Sequence, residues 1–110
     1  MVDRDSWKDL KGFHYIDHDI VVHTTPVGMA PQTGVLPIRV PLRRDAVLLD
    51  AVYNPPVTAF MNRARAEGAR VIPGVTWYVN QAVAQELLFG IPRPSRRDME
   101  KMLMRHLGGA

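Results

Sequence analysis

Residues 46–56, Ala46-Val47-Leu48-Leu49-Asp50-Ala51-Val52-Tyr53-Asn54-Pro55-Pro56, decide how the rest of the chain is read. The apolar run of Ala46, Val47, Leu48 and Leu49 continues through Asp50 into Ala51 and Val52, with no alternation to leave one face in water. It therefore predicts a strand buried on both faces of a parallel sheet. Tyr53, Asn54 and two prolines then stop it sharply. Ligands of open α/β sheets bind beyond the carboxyl ends of such strands, so Tyr53 and Asn54 are the first candidate site residues. The plain alternative is a buried strand that ends in a proline turn.

Working outward, residues 19–25 (Asp19-Ile20-Val21-Val22-His23-Thr24-Thr25) form a second β-branched run, closed by Pro26 and Gly28, and predict a second buried strand. Between the two runs lie Pro26, Gly28, Pro31, Gly34, Pro37 and Pro41, too many breakers for a crossover helix. This segment is expected to be a long ordered loop over one edge of the sheet. On the other side, Val57, Phe60, Met61 and Ala64 recur at helical spacing, with Gly68 as the residue that ends the helix. Residues 70–73 predict a third strand, after which Gly74 allows a tight turn. A helix over 76–89 follows, with Val79, Ala82, Val83 and Leu87 inward. Ser95 caps a last helix with Asp98 three residues on, and Met99, Met102, Leu103 and Leu107 form its apolar stripe. Residues 1–18 show no clean period beyond a short helical turn over 6–11, broken by Gly12.

Bulk properties set the limits. At 110 residues, 46% hydrophobic and 23% charged, the chain is expected to be one globular domain: an irregular segment over 1–18, three strands within 19–75 and helices over 76–107. With no cysteine there are no disulfides, no thiol catalysis and no thiolate metal sites. No run approaches membrane-spanning length, so no membrane partner is expected and a cytoplasmic location is the default. The net charge of +3 raises nucleic acid as a partner. The arginines are interleaved with acids and carry no aromatic binding motif, so no nucleic-acid role is expected.

Strand, loop, strand, helix, strand, helix, helix is half of a doubly wound, parallel α/β sheet. Its strand ends bring Thr24 and Thr25, Tyr53 and Asn54, and Gly74 and Thr76 to one rim, and Gln81 lies within reach two turns into the following helix. His14 and His18 have the i, i+4 spacing of a metal pair, but no further ligand accompanies them and no metal is expected. His23 is expected to be a satisfied core histidine. No Ser-His-Asp arrangement, nucleophile elbow or glycine-rich phosphate loop is recognisable.

Three motifs in this order, HTTPVGM at 23–29, LLDAVYNP at 48–55 and GVTWYVNQA at 74–82, resemble the carboxyl-terminal part of shikimate dehydrogenase and its quinate/shikimate relatives. The resemblance runs over about residues 18–107. It implies half of a Rossmann-like nucleotide-binding domain, with NADP as cofactor and a shikimate-like hydroxy acid as substrate once a further domain completes the site. Position by position it implies that Tyr53 and Gln81 bind the hydroxy acid. Thr24 and Thr25 fall at the turn near the cofactor's ribose, and Ala51, Gly74 and Trp77 beside the nicotinamide. His23 stands where the family has Asn, Thr76 for a frequent Gly, Trp77 for Met and Tyr78 for Leu. The family's catalytic Lys and Asp and its glycine-rich turn match nothing in residues 1–18, so no catalytic residue is assigned here. The expected function is therefore part of an NADP-dependent shikimate oxidoreductase, inactive as these 110 residues alone, with a non-catalytic binding or assembly module as the alternative. A homo-oligomer or a complementing subunit is the expected partner.

Overall fold

The computed structural model describes residues 18–39, 41–92 and 94–108. The helical turn expected over 6–11, and His14 of the histidine pair, lie outside them. Three parallel strands, β1 (Ile20–His23), β2 (Val47–Asp50) and β3 (Arg70–Ile72), form one sheet in the order β1-β2-β3. The strand from which the reading began is thus the central one. In register, Val21, Leu48 and Val71 stand side by side on one face, and Ile20, Val22, Val47, Leu49 and Ile72 belong to the other.

The two faces are not alike, which corrects the expectation of a strand buried on both. Leu48 and Asp50 are fully buried, whereas Val47 and Leu49 are only half-buried. Helix α1 (Ala59–Ala66) covers the first face with Phe60, Met61 and Ala64. Leu42, Ala46, Leu48 and Ala69 complete that core. On the second face Ile20 and Val22 are 65% and 57% exposed, so β1 is an uncovered edge among the described residues rather than a buried strand. A continuous apolar run hides this asymmetry, because periodicity reports hydrophobicity and not what covers it.

Local chemistry explains where α1 begins and ends. Thr58 has extended backbone and accepts the Met61 N–H at 3.1 Å, so it is the N-cap. Val57 therefore precedes the helix and is half exposed instead of joining its apolar face. At the far end Gly68 has φ +87°, and the Ala69 N–H reaches the Ala64 carbonyl while the Gly68 N–H reaches that of Arg65. This is a Schellman ending, as the glycine implied.

Between β1 and β2 the described residues hold no helix or strand, in line with the proline and glycine content. The connection is nevertheless tied to α1. Arg63 donates to the carbonyls of Ile38 and Arg39, and Glu67 accepts the Leu42 N–H at 2.7 Å. Helix α2 (Gly74–Leu88) starts at Gly74, two residues earlier than expected, and buries Val75 and Val79. Leu87, expected inward, is 58% exposed, and Leu88 and Phe89 more so. Helix α3 (Arg96–Leu107) begins at Ser95, whose hydroxyl accepts the Asp98 N–H, and it packs on α2. Met99, Leu103 and Leu107 are half-buried there, while Met102 points outward. Among the described residues no helix is long and apolar enough to cross a membrane.

Candidate functional site

The three strands all run toward one rim, where, among the described residues, a crevice of about 190 Å³ is lined by His23, Thr24, Thr25 and Phe60 and two adjoining ones share residues just past β2. The larger, about 510 Å³, is lined by Thr24, Thr25, Ala51, Tyr53 and Asn54, with Pro26, Met29, Ala30 and Val52. Its volume suits a small ligand or one end of a larger one. The smaller, about 130 Å³, is lined by Ala51, Tyr53, Gly74, Trp77, Tyr78 and Gln81. The last four lie at positions i, i+3, i+4 and i+7 of α2, one face of its first two turns. Ala51 and Tyr53 belong to both crevices, and the Tyr53 ring leans on Tyr78 with centroids 4.8 Å apart.

Gly74 brings α2 to this rim, though not by the tight turn expected of it. It is the first helical residue, and a Cβ there would stand 2.4 Å from the Val52 carbonyl oxygen and 2.7 Å from that of Ala51. Only glycine lets the helix start so close to the end of β2.

Beneath the larger crevice lies a buried polar chain. His23 and Asp50 are register partners at the last positions of β1 and β2. The His23 Nδ1 is 2.9 Å from the Asp50 Oδ1, an oxygen that also accepts the Val52 N–H at 3.1 Å. The Asp50 Oδ2 accepts the Thr58 hydroxyl at 2.7 Å. Burial by itself would raise the Asp50 pKa, but hydrogen bonds from His23, Thr58 and the Val52 N–H outweigh it and hold the carboxyl below its usual value. At its other nitrogen, Nε2, His23 makes a close hydrogen bond to the Thr25 Oγ1. The Phe60 ring of α1 meets the imidazole edge-on, with centroids 5.7 Å apart. Among the described residues there is no cluster of side chains able to hold a metal ion.

No protein-family model matches the chain. It is 35% identical over 98 residues to the shikimate dehydrogenase (NADP(+)) of Methanosphaera stadtmanae, over 84% of this chain and 34% of that protein. A shikimate dehydrogenase crystallised in complex with NADP+ superposes with a TM-score of 0.72 at 33% identity, over 81% of this chain and 32% of that one. The chain matches one third of a shikimate dehydrogenase. Its parallel sheet is that of the Rossmann-like NADP-binding domain of shikimate dehydrogenase. Quinate dehydrogenase from Corynebacterium glutamicum, in complex with NAD, also superposes, with a TM-score of 0.67 at 32% identity over 76% of this chain and 29% of that one.

Of the positions that the shikimate dehydrogenase motifs single out, Thr24, Thr25, Ala51 and Tyr53 line the larger crevice, and Gly74, Trp77 and Gln81 line the smaller beside Ala51 and Tyr53. Thr76, expected on the rim, lines neither and is exposed. The sequence predicts His23 as a satisfied core histidine and Thr25 on the rim but not the link between them and Asp50, which lies 27 residues from His23 within an apolar run. Aligning the two strands by their carboxyl ends is the signal that would have found it, since His23 and Asp50 each close their strand.

Proposed function

We propose that this chain is the part of an NADP-dependent shikimate or quinate dehydrogenase-type oxidoreductase that holds the nicotinamide end of the cofactor and one side of a hydroxy acid. Thr24 and Thr25 face the ribose. Ala51, Gly74 and Trp77 lie along the nicotinamide, and Tyr53 and Gln81 hydrogen-bond the hydroxy acid. The observation that carries the reading is the shared wall of the two crevices: Ala51 and Tyr53 belong to both, so the cofactor side and the substrate side meet there. The volumes and the donors, hydroxyls, two phenols and amides, suit a nucleoside end and a polyhydroxy acid. When bound, the dinucleotide supplies the hydride acceptor. The residues of this chain orient the partners, and orientation alone accelerates through proximity. The chain spans about a third of the length of the curated relatives it matches, so the activity of the whole enzyme is itself part of this proposal.

The test is binding and turnover with the pure 110-residue chain. NADP+ and shikimate should perturb the amide resonances of residues 24–25, 51–53 and 74–81, while NADP-dependent shikimate oxidation stays at background, because no Lys–Asp pair of the family's kind is matched within these residues. Clear turnover would refute the second expectation, and perturbations confined to other residues would refute the first.

A second reading, a non-catalytic assembly module, is favoured by the apolar sheet face on which Ile20, Val22 and Ile72 are exposed. Such a face is an association surface, for a second copy or a complementing subunit. Light scattering that reports a stable monomer at high concentration would count against it.

A further inference from the structure

The hydrogen bonds from Asp50 through His23 reach Thr25, which lines the larger crevice and, with His23, the one of about 190 Å³, and their donors and acceptors can be assigned. The Asp50 carboxyl, fully buried, takes the Val52 N–H and the Thr58 hydroxyl, two donors that hold it in its ionised, acceptor-only form. The proton between it and His23 therefore sits on Nδ1. Everything beyond depends on Nε2. When Nε2 is bare, the hydrogen bond to Thr25 forms only if the threonine hydroxyl donates its proton to the ring. Oγ1 is then left with lone pairs, one of which meets the Val27 N–H at 3.3 Å, on a residue, Thr25, that lines the crevice. When Nε2 is protonated the ring becomes the donor, and the hydroxyl proton of Thr25 turns away toward the crevice. One proton on His23 thus reverses the hydrogen-bonding sense of a side chain two residues away.

Each element packed on the imidazole contributes a defined group. β2 brings the Asp50 carboxylate, α1 the uncharged edge of Phe60, and the loop after β1 the Thr25 hydroxyl. Among the described contacts, Asp50 is the charged group that faces the ring.

We infer that His23 is the positioning residue of this crevice: held by Asp50, it presents the Thr25 oxygen as an acceptor, so the crevice takes its ligand through a hydroxyl group, of a ribose or a polyol. Protonation of His23 converts the same position into a donor suited to an anionic group. The ligand class rests on the function proposed above; the proton arrangement does not.

The test uses the full chain with 15N-labelled histidine. In a pH series over the ordinary histidine range, about pH 5–8, the ring nitrogen shifts report which neutral tautomer is present at position 23. The Nδ1–H form is expected, and the Nε2–H form would overturn the assignment without need of any variant. The second measurement is the affinity for NAD+, chosen because none of its groups titrates in this window. It should fall about fivefold as His23 becomes protonated, the loss of one hydrogen bond. The fall should vanish in His23→Asn and in Thr25→Val. An unchanged pH dependence in His23→Asn would overturn the positioning role. Absence of NAD+ binding at every pH would overturn the ligand class, the NADP+ titration described above tests the proposed function separately, and the tautomer result would still decide the proton arrangement.

Discussion

Replacing Gly74 by Ala tests the contact that brings α2 to the rim. The new methyl would stand 2.4 Å from the oxygen and 2.6 Å from the carbon of the Val52 carbonyl, and 2.7 Å from the Ala51 oxygen. These are backbone atoms, and they cannot swing aside. Ala51 donates to the His23 carbonyl at 2.9 Å and Val52 to the Asp50 carboxylate, so the end of β2 is fixed on both residues. The first turn of α2 must therefore retreat by about 1 Å to restore ordinary contact. Overpacking of this kind costs about 1–3 kcal/mol. The better helix propensity of alanine offsets at most about 1 kcal/mol, and less in a first turn. A net loss of about 2 kcal/mol corresponds to a fall in Tm of about 8–16 °C for a domain of this size. Thermal unfolding followed by circular dichroism measures it. A variant as stable as the parent, or more so, would refute the close-approach argument, since glycine would then be dispensable where α2 begins.

Three further outcomes follow from the buried groups. Because the folded-state pKa of Asp50 lies below its ordinary value, its contribution to stability is present above the carboxylate range. It is lost as pH falls below about 4 and on through the lower folded value, and acid titration of Asp50→Asn against the parent should show that share of the acid sensitivity gone. Thr58→Ala removes both the cap on the Met61 N–H and a donor to Asp50, which should cost about 1–3 kcal/mol in denaturant titration, with Thr58→Ser recovering most of it. Leu48→Ala, at a fully buried position in the centre of the sheet, should cost about 2–5 kcal/mol by the same measurement.

What the sequence made legible was whatever is written in neighbouring residues. Gly68 and Ser95 announced the helix ends they make, and the apolar run before Tyr53 announced the middle of a parallel sheet. Less legible were features that depend on residues far apart in the chain. Leu87 has helical spacing to Val83 and Val79, but no element of the described chain covers it. Asp50 is a polar residue in an apolar run, and its burial makes sense only once His23, 27 residues earlier, and Thr58, eight residues later, stand beside it. The rim itself was expected as one crevice with Thr76 on it. Trp77, Tyr78 and Gln81, on an α2 that starts at Gly74, instead line a crevice with Tyr53, separate from the one that Thr24 and Thr25 line.

Among the described residues helix α3 buries none of its side chains fully and packs chiefly on α2. Its free energy of opening is therefore set by one interface of half-buried methionine and leucine side chains, while β2 opens only with the whole core. Among the described residues the sheet and α1 share one core, and α3 joins it chiefly through α2. α2 thus carries α3 and, in its first two turns, Gly74, Trp77 and Gln81 of the smaller crevice.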